Sequence, residues 1–352
     1  MEDYLKPLKY ENEKFLIIDQ TLLPNEESWF ELRTEEEFRD AIKTLKVRGA
    51  PAIGVTAAYG IAVSLHNKNI HDINELVIQF RKIKDCIASS RPTAVNLFWA
   101  LDRMDARMNM DIDTLSLPNS TFNVDAVPQI ISGLFAEAEQ IRLEDVNACR
   151  SMGEYGLSLL TPGMGILTHC NAGALATAGY GTCLAPIYLG QEKGYEFKVY
   201  ADETRPLLQG ARLTTWELDK AGVDVTLICD NMVSSVMKKG LIDAVVVGCD
   251  RMVANGDAAN KIGTSGVAIL AKEYDIPFYI FVPTSSIDSN TKTGNDIPIE
   301  RRDGSEIYSL WFEERMAPHG VGTYNPAFDV TDHKYITAVI TERGIVYPPY
   351  SF

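Results

Sequence analysis

In the segment Ala244-Val245-Val246-Val247-Gly248-Cys249-Asp250, a carboxylate stands at the end of an apolar run. A continuous run of small and β-branched apolar residues reads as a buried parallel strand, so Asp250 falls at its carboxyl end. A carboxylate partly withdrawn from water there is expected to have a raised pKa and to exchange protons near neutral pH. A helix cap or an ion pair with Arg251 is the simpler alternative. Gly, Asn and Asp residues then mark a loop, and Asn260-Lys261 reads as the opening of a helix. An acid at a strand end, followed by a helix N-terminus bearing a lysine, suits a phosphorylated small molecule.

Cys170 closes a second run of this kind, Gly165 to Cys170, and Asn171-Ala172-Gly173 reads as the start of a helix. A helix N-terminus depresses a thiol pKa, which would make Cys170 an acid–base group or a nucleophile. The alternative is an inert buried thiol, the commoner fate of a single cysteine. His169 precedes it, and successive strand residues point to opposite faces, so His169 is assigned a structural role. Arg48-Gly49-Ala50-Pro51 and Ser90-Arg91-Pro92-Thr93 each place an arginine in a small-residue turn before a helical pattern. Such turns offer backbone N–H groups and a guanidinium fork to phosphate oxygens, although a solvated arginine explains either one alone. Lys261 equally suits an exposed helix face. The Gly163-x-Gly165 pair precedes a strand rather than following one, so it fails as a dinucleotide fingerprint. The sequence contains no Walker loop and no Cys-x-x-Cys or His-x-x-x-His spacing.

The elements that must position these groups fall into two parts. Up to about residue 127, short extended segments alternate with helical patterns at Glu35–Leu45, Val55–Leu65 and Ala94–Arg107, and residues 109–127 read as an exposed loop or linker. Helix resumes from Gln129 to Ser158. From Gly165, strand and helix patterns alternate, with strands at Gly165–Cys170, Phe197–Asp202, Val225–Asp230, Ala244–Asp250 and Pro277–Val282. That alternation predicts a doubly wound parallel α/β sheet. The fold class is therefore α/β: a small N-terminal α+β domain over 1–127, then a Rossmann-like domain over 128–352. Ligands in open α/β sheets bind outside the strands' carboxyl ends. Those ends carry Cys170, Glu203-Thr204-Arg205, Asp230-Asn231, Asp250 and Thr284-Ser285-Ser286.

Composition narrows the partners. The 352 residues are 46% hydrophobic and 23% charged, an ordinary globular balance. A formal net charge of −15 repels nucleic acid and anionic membranes, so neither is an expected partner. No signal peptide is evident and no apolar run approaches a bilayer's thickness. Six scattered cysteines read as reduced thiols, which points to the cytoplasm.

As an ordered set, these segments resemble the methylthioribose-1-phosphate isomerase family, whose superfamily includes regulatory subunits of a translation initiation factor's nucleotide exchanger. The resemblance rests on residues 46–54, 89–94, 170–173, 203–210, 248–257, 260–264, 296–300 and 325–330 and spans nearly the whole chain. It implies a homodimer, no metal and no nicotinamide cofactor. It places the catalytic pair on Cys170 and Asp250, and substrate contacts on Arg48, Gly49, Ala50, Arg91, Gln209, Asn260 and Lys261. The implied reaction, in methionine salvage, converts 5-methylthioribose 1-phosphate to 5-methylthioribulose 1-phosphate. Two routes for hydrogen from C2 to C1 stay open, a proton through an enolate or a hydride, and retention of a C2 deuterium label separates them. Ser265 replaces an expected tyrosine, and residues 281–288 depart from the usual family segment. Isomerisation of 5-deoxyribose 1-phosphate by the same pair is therefore the alternative. Ribose 1,5-bisphosphate isomerase lacks a second basic site here, and a non-catalytic regulatory protein would not need Cys170, Asp250 and both arginine turns.

Overall fold

The structure is a computed structural model that describes residues 5–92, 94–115 and 126–352. Its contacts divide the described residues into two compact units, residues 6–147 with 175–179, and residues 148–174 with 180–352 and Leu5. The division falls between Asn147 and Ala148, beyond the boundary at 127/128 expected from the sequence. It lies inside a single helix rather than in a linker.

The first unit opens with an antiparallel meander, β1 (Leu8–Glu11), β2 (Lys14–Ile18) and β3 (Trp29–Leu32). Alternation along β2 buries Phe15 and Ile17. Helix α1 (Glu35–Lys43) starts at a capping box in which Thr34 and Glu37 satisfy each other's backbone amides. Helix α2 (Ala50–His66) is apolar on every side and fourteen of its seventeen residues are buried, so it is the centre of the unit. Around it lie α3 (Ile73–Ala88), capped by Asp72, and α4 (Val95–Leu115). Residues 109–115, expected in a loop, are the last turns of α4. Met104 and Met108 are buried, and Ile112 and Leu115 continue the same stripe against the core. The rest of that expected loop, 116–125, lies outside the described residues, as does Thr93. Helix α5 (Ala126–Leu157) carries the chain into the second unit.

In the second unit, β4 (Gly165–Thr168), α6 (Ala185–Glu192), β5 (Lys198–Asp202), α7 (Thr215–Lys220), β6 (Asp224–Ile228), α8 (Val233–Lys238) and β7 (Ala244–Gly248) alternate as the sequence predicts. A hairpin of β8 (Arg251–Val253) and β9 (Ala258–Lys261) follows, then α9 (Thr264–Glu273), β10 (Phe278–Phe281), β11 (Ile287–Asp288) and α10 (Ser305–Tyr308). The chain ends in β12 (Phe328–Thr331), β13 (Ala338–Thr341) and β14 (Gly344–Val346).

The seven-stranded sheet has the order β14-β13-β10-β7-β4-β5-β6, parallel except for β14. Numbering its six parallel strands along the chain gives 3-2-1-4-5-6, the Rossmann order, with the reversal between β4 and β7. Every residue of β4, β7, β10 and β13 is buried, as strands covered on both faces require. A second sheet, β11-β8-β9-β12, was not foreseen. Asn260 and Lys261 belong to its strand β9, and the helix opens only at Thr264, so the expected helix start at Asn260 is corrected. Ala-Ala-Asn-Lys has little strand propensity of its own, and its partner β12 lies far along the chain.

Ile166 lies in β4, paired with both neighbours and fully buried. Replacing it by alanine is expected to lower the unfolding free energy by about 2–5 kcal/mol, read by urea denaturation.

Candidate functional site

Cys170 and Asp250 leave the sheet at the carboxyl ends of β4 and β7, the two strands between which the winding reverses. These strands are hydrogen-bonded neighbours, with Ile166 opposite Ala244 and Leu167 opposite Val245. Asp250 donates its backbone N–H to the Ala259 carbonyl at 3.0 Å, so it is the first residue drawn into the β8–β9 hairpin. Gly248 permits close approach of the two strand ends. A Cβ on it would lie 2.5 Å from the Ala172 Cβ, inside the turn that follows Cys170.

The turn at Cys170 is not a helix start. After it only a three-residue 3-10 turn, Ala174–Ala176, forms, and α6 begins at Ala185, so the expected helix dipole at the thiol is absent. Instead, Cys170 is held with φ of 66°, a left-handed conformation unfavourable for a residue with a Cβ. Its surroundings impose that geometry. The Cys170 N–H donates to Thr204 Oγ1 at 2.8 Å, and Thr214 Oγ1 donates to the Cys170 carbonyl at 2.6 Å. Thr204 is itself left-handed, with φ of 63°, and its hydroxyl donates to the Asp202 carbonyl at 3.0 Å. Asp230, just past β6, accepts from the Thr204 and Arg205 amides at 2.9 and 2.8 Å. Three successive strand ends thus converge on the backbone of Cys170. Asn171 adds a buried link, its amide donating to Thr214 Oγ1 and Glu217 Oε1.

Gln209 follows the same segment and is 5% exposed; its Oε1 is buried and meets no hydrogen-bond donor among the described residues. Such an acceptor is costly unless a ligand or water meets it. Asn260 is buried, donating to Thr264 Oγ1 at 3.0 Å, while the Lys261 ammonium lies 4.5 Å from the Phe328 ring centre. Asp329 accepts the Gly263 and Ser265 amides at 2.8 and 3.1 Å, fixing the turn into α9. Sequence reasoning gave Asp329 no role, although it lies in the 325–330 segment that carries part of the family resemblance.

His169 is 2% exposed, with Nδ1 at 3.0 Å from Asp202 Oδ2 and Nε2 at 2.9 Å from the Ile262 carbonyl. Burial pushes the Asp202 carboxyl upward; burial works against charge on His169, but its bond to Asp202 leaves the ring raised as well. His169, Asp202 and Asp230 bring ligand-type atoms within 4.8 Å of one another, a spacing a metal ion could use. The chemistry of the set fits poorly: both ring nitrogens face acceptors, and both Asp230 oxygens already accept amides.

In the first unit, Gly49 is the N-cap of α2 with φ of 94°, and Ala50 is its first residue. The helix starts earlier than the sequence pattern indicated, because the Arg48-Gly49-Ala50-Pro51 turn is its first turn, with proline where its missing N–H is harmless. A Cβ at Gly49 would lie 2.4 Å from the Ala176 carbonyl oxygen, so only glycine fits. The backbone N–H groups opening this seventeen-residue helix are of the kind that bind phosphate. Arg48 is buried beside them, and Arg91 lies in the turn between α3 and α4.

A Rossmann-ordered sheet whose winding reverses between the strands that lead to Cys170 and Asp250 is an α/β architecture of the kind that binds ligands at that reversal. The Initiation factor 2 subunit family matches residues 46–348, and the chain belongs to it. A methylthioribose-1-phosphate isomerase of Symbiobacterium thermophilum is 61% identical over 336 residues, covering 96% of this chain and 90% of that protein. A 5-deoxyribose 1-phosphate isomerase of Petrotoga mobilis is 60% identical over 337 residues, covering 96% and 94%. Among solved structures, the 5-methylthioribose 1-phosphate isomerase of Pyrococcus horikoshii OT3 superposes with a TM-score of 0.90 at 43% identity, over 99% of this chain and 94% of that one. The family resemblance and the fold class expected from the sequence are both borne out.

Thr204→Val removes both hydroxyl bonds beneath Cys170. It is expected to cost about 1–3 kcal/mol of stability by chemical denaturation and to change the rate at which iodoacetamide alkylates Cys170.

Proposed function

We propose that this protein is an aldose–ketose isomerase that converts 5-methylthioribose 1-phosphate to 5-methylthioribulose 1-phosphate in methionine salvage, with Cys170 and Asp250 as its acid–base pair. The observation that carries this reading is the origin of both groups on adjacent strand ends at the sheet's reversal. The substrate's anomeric oxygen bears the phosphate, so its ring cannot open as a free sugar does. The C1–ring-oxygen bond must break while the phosphate is retained, and hydrogen must pass from C2 to C1. Two groups able to give and take protons meet those needs, one at the ring oxygen and one at the C1–C2 hydroxyl region. Asp250 is assigned to the latter and Cys170 to the former.

The Arg48 guanidinium and the Gly49 and Ala50 amides are proposed to bind phosphate, together with Arg91. Gln209 Oε1 is proposed to accept a sugar hydroxyl, which its buried and unmet acceptor supports. Asn260 and Lys261 are proposed to hold the sugar phosphate from β9. No resident metal or redox cofactor enters this scheme. A homodimer in the cytoplasm completes the proposal. The six cysteines form no disulfide among the described residues, and no described helix is long and apolar enough to cross a membrane. Exposed Leu310, Trp311, Phe312 and Met316 offer apolar surface to a partner subunit.

The second reading is 5-deoxyribose 1-phosphate as substrate. Relatives of both names are equally similar, and Ser265 stands where the family resemblance leads one to expect tyrosine. The tails, CH2–S–CH3 and CH3, differ by one sulfur and one carbon, and an apolar pocket gains roughly 10–200-fold from a single methylene, so the size of its tail pocket decides between the two sugars.

Ketose formation from each sugar, followed by NMR, tests the reading. Wild type is expected to turn over at least one of them. Cys170→Ser and Asp250→Asn, folded by circular dichroism, should each lose about 10²–10⁴-fold in kcat. Absence of turnover by folded wild type, or near-normal rates in both variants, would overturn it.

A further inference from the structure

The proton chemistry assigned above leaves His169 without a task, yet few side chains in the second unit are so tightly held. Its ring bonds Asp202 at the end of β5 through one nitrogen and the Ile262 carbonyl through the other. Ile262 sits between Lys261 and Gly263, in the turn that joins β9 to α9. Gly263 has φ of 105°, and a Cβ there would lie 2.8 Å from the His169 ring, so the backbone is pressed directly against the imidazole. Asp329 grips the same turn from β12 through the Gly263 and Ser265 amides. His169 is also the immediate neighbour of Cys170. One imidazole therefore spans from the strand end bearing the thiol to the turn that follows Asn260 and Lys261.

The hydrogen-bond inventory defines its protonation. A carbonyl oxygen only accepts, so Nε2 must carry a hydrogen toward Ile262. Across the Nδ1 contact with Asp202, a single proton then lies between the two groups, whichever of them it is bonded to. The pair is neutral as a unit, which makes it tolerable in a dry interior. The Ile262 carbonyl thus fixes the hydrogen on Nε2, and Asp202 holds the orientation of the ring from its other side.

We propose that His169 and Asp202 are a positioning pair that sets the spacing between Cys170 and the Asn260–Lys261 strand end, without themselves touching the substrate. The proposal rests on the roles given to Cys170, Asn260 and Lys261 in the isomerase reading. Its distinguishing feature is that the Nε2 contact, rather than mere occupancy of the buried space, transmits the effect. Glutamine places an amide nitrogen near the position of Nε2, whereas asparagine reaches only that of Nδ1. His169→Gln can keep the Ile262 bond, and His169→Asn can keep the Asp202 bond alone.

The experiment compares these variants in full-length protein. His169→Asn is expected to raise KM and lower kcat, with kcat/KM falling about a hundredfold or more, as a displacement near 1 Å can do. His169→Gln should stay within about tenfold of wild type on the same scale. Hydrogen exchange in a peptide covering residues 258–266 should accelerate in His169→Asn and remain near wild type in His169→Gln. If His169→Asn does not fold, the same ranking is read from Asp202, where Asn can donate to an unprotonated Nδ1 and Ala cannot. Asp202→Asn should then rank with His169→Gln, and Asp202→Ala with His169→Asn. Equal kinetic losses in both members of a pair, or unchanged exchange in the disruptive variant, would overturn the proposal. The exchange measurement needs no turnover, so wild type that isomerises neither sugar would count against the isomerase reading and leave the strut separately measurable.

Discussion

The hydrogen-bonded pairing of β4 with β7 is the constraint from which the second unit's site follows. The winding reverses between these strands, and in open α/β sheets the crevice outside the carboxyl ends at such a point is where ligands bind. Cys170 and Asp250 are each the second residue past such an end. Their strands are short and wholly buried, and the apolar bodies that secure the sheet leave chemistry only at its edge. Stability and function are thereby separated along a few residues of the same strands. Gly248 lets the two ends meet, since any side chain there would strike the turn after Cys170.

Around that crevice, backbone conformation is determined by side-chain hydrogen bonds rather than by helix dipoles. Cys170 and Thr204 both occupy the left-handed region, and each depends on its neighbour: the threonine hydroxyl receives the cysteine amide, and Asp230 receives the threonine amide. A strained residue at a strand end, held by surrounding bonds, is kept in one geometry at the cost of local stability. The β9–α9 turn follows the same logic, with His169 on one side and Asp329 on the other. Buried carboxylates and hydroxyls here act mainly by aiming backbone.

Although β13, just as buried, was not foreseen, five of the six parallel strands were legible in the sequence, most clearly β4, β7 and β10, which are covered on both faces and read as continuous apolar runs with polar ends. The order of those strands was not, since nothing local to Gly165–Thr168 indicates that its partner begins at Ala244. The β8–β9 hairpin was read as a loop and a helix start. Its strands are three and four residues long, and β9 is made by pairing with β12 rather than by its own composition. The supposed helix at Asn171 failed for a related reason: glycine and alanine permit a helix but do not compel one, and the hydroxyls of Thr204 and Thr214 impose a turn. Among the candidate site residues, Cys170 and Asp250 could be singled out because they follow strand ends, whereas the pairing of His169 with Asp202 and Ile262 joins distant segments and had no local signature.

Joint action of Cys170 and Asp250 on one bound sugar is the central claim, and a double-mutant cycle measures it most directly. Values of kcat/KM would be determined for wild type, Cys170→Ser, Asp250→Asn and the combined variant with the preferred sugar phosphate. Groups that serve one reaction as a unit are strongly non-additive, so the combined variant should lose little more than the worse single variant. Losses that simply multiply would mean the two groups act independently, and would contradict the account.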